Sequence, residues 1–204
     1  MNMNMNMNMN YFMMLYDDRN INDGAWFDKF DVFEFPDYMF NKCVSLKDKI
    51  SADFILEMNK EDPEGRVLYD MADNIIQLLI ISEPFKELLQ NYDCGDVEFL
   101  PVSIKNQRDK IEKEKYYIVN LVDSVDYIDT EKSTIKYRAM DESVIFKVKN
   151  LSMKEISKSI DLFRADYYPK RYVVSEDLKN KNEDDELEGM KFIPIDEFNS
   201  AIHK

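Results

Sequence analysis

The chain has 204 residues, of which 45% are hydrophobic and 13% aromatic, so it is long enough for one large domain with a sizeable core. It carries 27 Lys and Arg against 41 Asp and Glu, and the resulting net charge of −14 repels nucleic acid and anionic membranes and attracts basic partners. The two cysteines, Cys43 and Cys94, make no disulfide framework, and the single histidine, His203, lies next to the C-terminus. These features disfavour a catalytic triad and a histidine-bearing zinc site.

No run of apolar residues approaches the length of a transmembrane helix, roughly 18 residues, and no basic region followed by an apolar core suggests a signal peptide. With its two cysteines interpreted as reduced thiols, the chain is expected to be cytoplasmic. No metal and no cofactor are expected, and the oligomeric state is left open.

The first ten residues are five Met-Asn pairs, which we treat as a low-complexity N-terminal segment, 1–10. Residues 11–204 are expected to form a single domain, with two lobes, 11–105 and 106–204, as the alternative division. The run Tyr11–Tyr16 predicts the first strand, and residues 53–58 alternate like another one. Apolar residues in the range 67–76 recur at helical spacing, which predicts a helix there.

A unit of strand, capped helix, loop and strand occurs twice, at a constant offset of 93 residues (82 to 175 and 101 to 194). In each copy an apolar run ends at a serine, Ser82 or Ser175, which is placed to cap a helix by accepting a first-turn N–H. A glutamate, Glu83 or Glu176, follows in the first turn, where negative charge suits the helix dipole. The expected helix exits are Gly95 and Gly189.

The helices of the two copies differ in polarity. The first keeps an apolar face at Phe85, Leu88 and Leu89, whereas residues 180–188 of the second are almost all polar. The densest acidic run of the chain is made of Glu183, Asp184, Asp185, Glu186 and Glu188. Such a run is either a solvated loop or a surface for a basic partner, where it would speed association and select the partner. If one of the two copies uses its helix to bind a partner rather than to pack in the core, we expect it to be the second copy.

Between the copies, a charged stretch at 106–115 predicts a hairpin turn, and residues 116–122 are the strongest strand signal of the chain. Residues 135–138 and 144–148 predict a β-hairpin with a loop of four to five residues, and residues 151–167 are predicted to be partly helical. The expected class is therefore α+β, with a mixed or mainly antiparallel sheet, a few short helices and the duplicated strand-helix-strand unit.

Two sets of carboxylates are candidates for metal binding or catalysis. Asp123, Asp126 and Asp129 recur every third residue and would suit a hard cation, but the glycine of a calcium loop is missing, so turns and caps after a strand are favoured. Glu83 and Glu176 invite comparison with a general acid/base pair, yet a separation of 93 residues along the chain says nothing of their distance.

The stretch 116–133 resembles the central motif of the eleventh family of immunity proteins in bacterial polymorphic toxin systems. The residues that fill places of the family pattern are Tyr116, Tyr117, Asn120, Asp126, Asp129, Glu131, Lys132 and Ser133. Residues 81–102 and 174–195 look like the family's Ser-Glu helix segment with Phe-x-Pro-Val and like its degenerate C-terminal echo. The resemblance covers about residues 67–198, is loose over 11–66 and gives the Met-Asn repeat no counterpart.

This resemblance implies a non-catalytic protein that binds a cognate toxin and neutralises it. Charge adds the expectation of a basic toxin, such as a nuclease, held by the acidic run 183–188. The residues expected to be structural are Ser82, Glu83, Asn120, Asp126, Asp129, Lys132, Ser133, Ser175 and Glu176. An acidic adaptor or regulatory binding module is the alternative, and a carboxylate-based hydrolase is a further one.

Overall fold

The structure is a computed structural model that describes residues 10–17, 23–30, 35–50, 54–139, 141–156, 159–166 and 168–203. Within these ranges the chain forms twelve strands and two α-helices, which confirms the α+β class. The strands of the first half are β1 (Tyr11–Tyr16), β2 (Trp26–Phe27), β3 (Ile55–Glu57), β4 (Met71–Asn74), β5 (Leu79–Ser82) and β6 (Val97–Lys105). Those of the second half are β7 (Tyr116–Leu121), β8 (Thr134–Arg138), β9 (Asp141–Asn150), β10 (Leu162–Ala165), β11 (Tyr168–Ser175) and β12 (Met190–Pro194). The helices are α1 (Glu83–Leu89) and α2 (Glu176–Asp184), and 3₁₀ turns cover Asp37–Asn41 and Ile195–Glu197.

The duplicated unit is present as β5-α1-β6 and β11-α2-β12. Ser82 caps α1 by accepting the N–H of Phe85 at 3.4 Å, and Ser175 caps α2 by accepting the N–H of Leu178 at 3.2 Å. The glycines lie a few residues beyond the helix ends rather than at them, in the loops that lead to β6 and β12. Gly189 has a φ of +94°, and a Cβ there would lie 2.4 Å from the carbonyl oxygen of Met71, so only glycine fits.

Each copy of the unit lies in its own sheet, and each sheet also contains one strand from the other half of the chain. A four-stranded sheet has the order β10-β11-β1-β12, and a six-stranded sheet has the order β2-β4-β5-β7-β6-β3. In the first, Phe12 of β1 lies opposite Val174 and Pro194. In the second, Tyr117 of β7 lies opposite Ile81 and Pro101, which are 93 residues earlier. Strands β1 and β7 are therefore equivalent, and each half of the chain supplies the inner strand of the sheet that the other half builds.

The core has three parts because both faces of each sheet are covered. Successive strand residues point to opposite faces, so Leu79 of β5 and Met14 of β1 join a central cluster between the sheets, together with apolar residues of both helices. Ile80 joins an outer cluster covered by the described residues between positions 25 and 58. Met13 joins the other outer cluster, which the described residues between positions 127 and 163 and those of the C-terminal segment cover.

The helix predicted at 67–76 is wrong, since residues 71–74 form strand β4. Met71 packs in the central cluster and Ala72 in an outer one, so both faces of this strand are buried. Apolar residues therefore come in adjacent pairs, and with a turn at 75–78 these pairs imitate helical spacing.

The helix predicted within 151–167 is wrong for the same reason. Among the residues described there, Leu162–Ala165 is strand β10, and no helix is present at 151–156 or 159–166. All four residues of β10 are buried, with Leu162 in the central cluster and Phe163 in an outer one. Residues 157, 158 and 167 lie outside the described part.

The other predicted elements are present with shifted ends. Strand β1 has the predicted bounds, β7 ends one residue early, and the stretch 53–58 gives the three-residue β3. Strands β8 and β9 form the predicted hairpin, but its loop is shorter than expected, because Arg138 lies opposite Asp141. The Met-Asn pairs at 1–9 lie outside the described residues.

Candidate functional site

The N-cap of α1 is part of a set of hydrogen bonds, made by Asp70 to Ser82 and to Glu188, that joins the two halves of the chain. We call such a set a clasp. Besides accepting a helical N–H, the Ser82 hydroxyl donates to Oδ1 of Asp70 at 2.5 Å, and the N–H of Ser82 donates to the carbonyl of Asp70 at 2.9 Å. The other carboxylate oxygen of Asp70 accepts the N–H of Glu188 at 2.9 Å, which lies in the loop of the second copy. One aspartate thus fixes both its own helix cap and the opposite loop.

The second copy repeats this arrangement. The Ser175 hydroxyl donates to Oδ1 of Asp161 at 2.6 Å, and Oδ2 of Asp161 accepts the N–H of Asp93 at 2.9 Å. Asp93 lies in the loop that follows α1, so the two clasps are reciprocal. The conspicuous serines therefore hold two helices and two loops together by hydrogen bonds.

Glu83 is surrounded by donors. Its carboxylate lies 2.8 Å from Nζ of Lys115 and 3.2 Å from Nζ of Lys86, and it accepts the hydroxyl of Tyr117 at 3.1 Å. The hydrogen bonds from Lys115 and Lys86 lower the pKa of Glu83 to about 2. A carboxylate held ionised in this way is unsuited to exchange protons near neutral pH.

Glu176 has a different environment, because its carboxylate accepts the side-chain amide of Asn10 at 3.0 Å. The lysine of each helix nevertheless lies over an equivalent ring, with Nζ of Lys86 4.2 Å from the ring centre of Tyr117 and Nζ of Lys179 5.4 Å from that of Phe12. The repeated glutamates thus occupy matching places without forming a matched acid/base pair.

Asn120, in the family-like motif, anchors the layer that covers the six-stranded sheet. Its side chain is 1% exposed and donates to the carbonyl of Val44 and to Oε2 of Glu98, both at 2.9 Å. Glu98 also accepts the hydroxyl of Ser45 and the N–H of Leu46, the latter at 2.8 Å. These bonds fasten residues 44–46 to strands β6 and β7.

Asp129 shapes the turn after β7. Its side chain accepts the N–H groups of Glu131 and Lys132 at 3.2 Å and lies 2.8 Å from Nζ of Lys132. The Ser133 hydroxyl accepts the N–H of Ser152 at 2.9 Å and thereby ties this turn to the segment after β9. These contacts account for the Asp-Thr-Glu-Lys-Ser stretch within the fold.

Asp126 lies 2.6 Å from Nζ of Lys154, in an exposed ion pair. The described part of the chain contains no group of three or more histidine, cysteine, aspartate or glutamate residues that would hold a metal ion. The aspartates of this segment are thus placed as turn and surface residues.

The acidic run lies at the exposed C-terminal end of α2. Glu183 pairs with Lys179 at 2.8 Å, and Asp185 pairs with Lys181. Within the acidic run, the exposed side chains that form no ion pair with the described residues are those of Asp184, Glu186 and Glu188. Partner binding by this run stays a prediction, but its position leaves these carboxylates open to a partner.

The structure adds acidic residues that are distant in sequence. The Tyr69 hydroxyl donates to Asp23 at 2.9 Å, and burial, together with the charges of Asp23, Glu188 and buried Asp17, raises the pKa of Tyr69. Burial and the charge of Asp73 likewise raise the pKa of Tyr16. We call Glu183, Asp184, Asp185, Glu186, Glu188, Asp23, Tyr69 and Asp73 the acidic face.

Sequence reasoning missed the second part of the acidic face because it comes from the loop before β2 and from the residues around β4. No local pattern in the sequence connects Asp23, Tyr69 and Asp73 with the run at 183–188. A cavity of about 320 Å³ is lined by Asp73 and Tyr16 and also by two cations, Lys170 and Arg171. Burial raises the pKa of Asp73.

A comparison with protein families decides the family of this chain. The model of the immunity protein family Imm11 matches residues 16–197, which includes every element from β2 to β12 and both helices. The chain belongs to the Imm11 family. A comparison with curated proteins gives no match.

Membership of the Imm11 family confirms the resemblance found in the motif at 116–133 and implies a cognate toxin as the partner. Such immunity proteins generally act without catalysis. In the described residues of this Imm11 chain, no helix has both the length and the apolar character needed to cross a membrane.

Proposed function

We propose that this chain neutralises a basic cognate toxin by forming a stoichiometric complex with it through the acidic face. The observation that carries the proposal is the position of Asp184, Glu186 and Glu188, which are exposed at the end of α2 without an ion pair among the described residues. Exposed carboxylates without an ion pair increase the rate of association with a positively charged protein, and this effect is largest at low salt.

The continuity of the acidic face supports the same function. The N–H of Met71 in β4 donates to the carbonyl of Glu188 at 3.1 Å, so the end of α2 lies against the segment that carries Tyr69. The Tyr69 hydroxyl in turn donates to Asp23. The backbone under this junction is held by the Asp70 clasp, since Asp70 accepts the N–H of Glu188. Tyrosine is enriched among the residues that supply most of the binding energy of protein interfaces, and Tyr69 lies in this charged surface.

A basic nuclease is the kind of toxin that suits this charge, because such an enzyme binds a polyanion and the acidic face would imitate it. The complex would form in the cytoplasm, where the toxin would reach its target. The net charge of −14 disfavours nucleic acid and anionic membranes as partners.

Co-expression with a candidate toxin domain, taken from the gene next to the one for this chain, tests the proposal. We expect cells that make both proteins to grow, cells that make the toxin domain alone to die, and the purified pair to form a complex of fixed stoichiometry. Equal killing with and without this chain, together with the absence of a complex, would reject the function for that pair.

Charge reversal then tests the surface. The triple change Asp184→Lys, Glu186→Lys and Glu188→Lys keeps the ion pairs of Glu183 and Asp185 and is expected to lower protection. The matched control is Asp48→Lys, Glu131→Lys and Glu155→Lys, which alters the net charge equally at exposed positions on the outer layers of the two sheets. If cells with the first triple variant lose protection and cells with the control variant keep it, the result supports toxin binding through the acidic face.

A further inference from the structure

The β8–β9 hairpin carries two lysines directly opposite each other. Lys136 of β8 is the cross-strand partner of Lys147 of β9, and both side chains are exposed. The neighbouring pair is Ile135 and Val148, and Val148 is fully buried in an outer core cluster. Because successive residues alternate between faces, the two lysines project from the side of the hairpin that points away from the core.

Two like charges in this register destabilise a strand pair. Neither lysine forms a hydrogen bond or an ion pair in the part of the chain that the structure describes, so none of the described carboxylates compensates the repulsion. Arg138 and Lys149 are also exposed, but the strand register shifts beside each of them and Arg138 lies opposite Asp141, so they are not counted with the two lysines. We call the pair Lys136 and Lys147 the basic face of the hairpin.

This basic face and the acidic end of α2 lie on opposite sides of the four-stranded sheet. Val148 packs in the same cluster as Met13 of β1, whereas Leu178 of α2 packs in the same cluster as Met14. Met13 and Met14 are consecutive in one strand and so point to opposite faces. One molecule thus offers complementary charges on two sides that it cannot bring together by itself.

We propose that the basic face of the hairpin binds the acidic end of α2 of a second copy of this chain. The occupant has the required chemistry, because Asp184, Glu186 and Glu188 are exposed carboxylates without an ion pair within the described residues. These are also the carboxylates proposed to meet the toxin, so the two contacts exclude each other and the self-association is expected of the chain without its toxin.

The arrangement of the two faces defines the geometry of this contact. A surface that binds a different surface of the same protein makes a heterologous contact, which continues from one copy to the next unless a rotation closes a ring. Because the faces lie on opposite sides of one sheet, the contact is head-to-tail. The apparent mass of the protein should therefore rise continuously with concentration from the 24.3 kDa of one chain.

A mixing experiment with two charge-reversed variants tests the contact without any toxin, so its outcome is independent of the proposed function. The hairpin variant carries Lys136→Glu and Lys147→Glu, and the helix variant carries Asp184→Lys and Glu188→Lys. The control variant carries Lys110→Glu and Lys113→Glu, which changes the net charge as the hairpin variant does at two other exposed lysines. Sedimentation equilibrium measures the mass of each variant, and circular dichroism confirms that each is folded.

We expect the wild-type and control chains to associate, and each of the other two variants to lose about tenfold or more in association constant. An equimolar mixture of the hairpin and helix variants should associate again, because acidic hairpins then meet basic helix ends and the native contact also re-forms. The proposal is overturned if the wild-type chain stays at 24.3 kDa over the whole concentration range. It is also overturned if the mixture stays monomeric, or if the hairpin variant associates as strongly as the control, because the two lysines then take no part in the contact.

Discussion

Arg164 is a buried cation that joins three parts of the chain. It is 2% exposed in β10, and its guanidinium donates to the carbonyl oxygens of Phe40 and Leu121, both at 2.5 Å. Its central carbon lies 5.7 Å from the ring centre of Tyr172, and no carboxylate pairs with it among the described residues. Arg164 therefore links the four-stranded sheet to β7 and to the 3₁₀ turn at Asp37–Asn41.

Replacing this guanidinium should be costly. We expect Arg164→Met to lower the free energy of unfolding by about 3 kcal/mol, because two buried carbonyl groups lose their donors and each costs about 1–3 kcal/mol. Urea denaturation followed by circular dichroism measures the change. Arg108→Met, at an exposed arginine, is the control and should change stability by less than about 0.5 kcal/mol. Similar small losses for both variants would show that Arg164 does not link these elements.

The environment of Glu83 predicts that the free energy of unfolding depends on pH. Its folded pKa of about 2 lies below the ordinary value of 4.5, so its stabilising contribution is present above pH 4.5 and is lost as the pH falls towards 2. Glu83→Gln lacks this titration. Between pH 4.5 and 2, the free energy of unfolding of the wild-type chain should therefore fall more steeply than that of the variant, and parallel curves would contradict the assignment.

Residue roles could be predicted from the sequence where the contact is local. The N-cap roles of Ser82 and Ser175 depend on the residues that follow them, so a serine before a helical segment was a sufficient signal. The roles of Arg164 and Asn120 depend on carbonyl groups of Phe40 and Val44, more than 70 positions away. Only tertiary structure brings such partners together.

At the scale of elements, the two helix caps should be equivalent. Ser82→Ala and Ser175→Ala each remove an N-cap and a hydrogen bond to an aspartate, Asp70 or Asp161. Each substitution should cost about 1–2 kcal/mol of unfolding free energy, measured by urea denaturation. Ser82→Thr keeps the hydroxyl and serves as the control. A large loss in one copy with no loss in the other would argue against two equivalent clasps.

Strands β4 and β10 show where the prediction of elements failed. They are equivalent strands in the two halves, and both pack between a central and an outer cluster. A strand buried on both faces has no alternation, so periodicity alone does not distinguish it from a short helix. Strand β7 is equally buried but was predicted correctly, because its run of tyrosine, isoleucine and valine favours strands.

At the scale of the whole molecule, the repeat was visible in the sequence but its consequence was not. The constant offset of 93 residues predicted two similar units, and the structure adds that β1 and β7 change places between their sheets. This exchange, with the reciprocal clasps of Asp70 and Asp161, makes the two halves mutually dependent. The sheet order could not be predicted because β1 pairs with strands about 160 to 180 positions later.

The acidic face also emerges at this scale. The run at 183–188 was evident from composition, whereas Asp23, Tyr69 and Asp73 join it only because the clasp draws the loop before β12 against β4. The surface proposed to meet the toxin is therefore built from both halves of the chain. Its charge should act mainly on the rate of association, as charges at the edge of an interface do.

The association rate constant of the toxin domain, measured by stopped flow at low and at physiological salt, tests this claim most directly. For the wild-type chain the rate constant should fall as salt rises. Asp184→Lys, Glu186→Lys and Glu188→Lys together should lower it about tenfold or more and flatten the salt dependence, whereas Asp48→Lys, Glu131→Lys and Glu155→Lys together should have a smaller effect. Equal losses in the two triple variants would show that net charge alone steers the toxin, and an unchanged rate constant in the first would contradict binding through the acidic face.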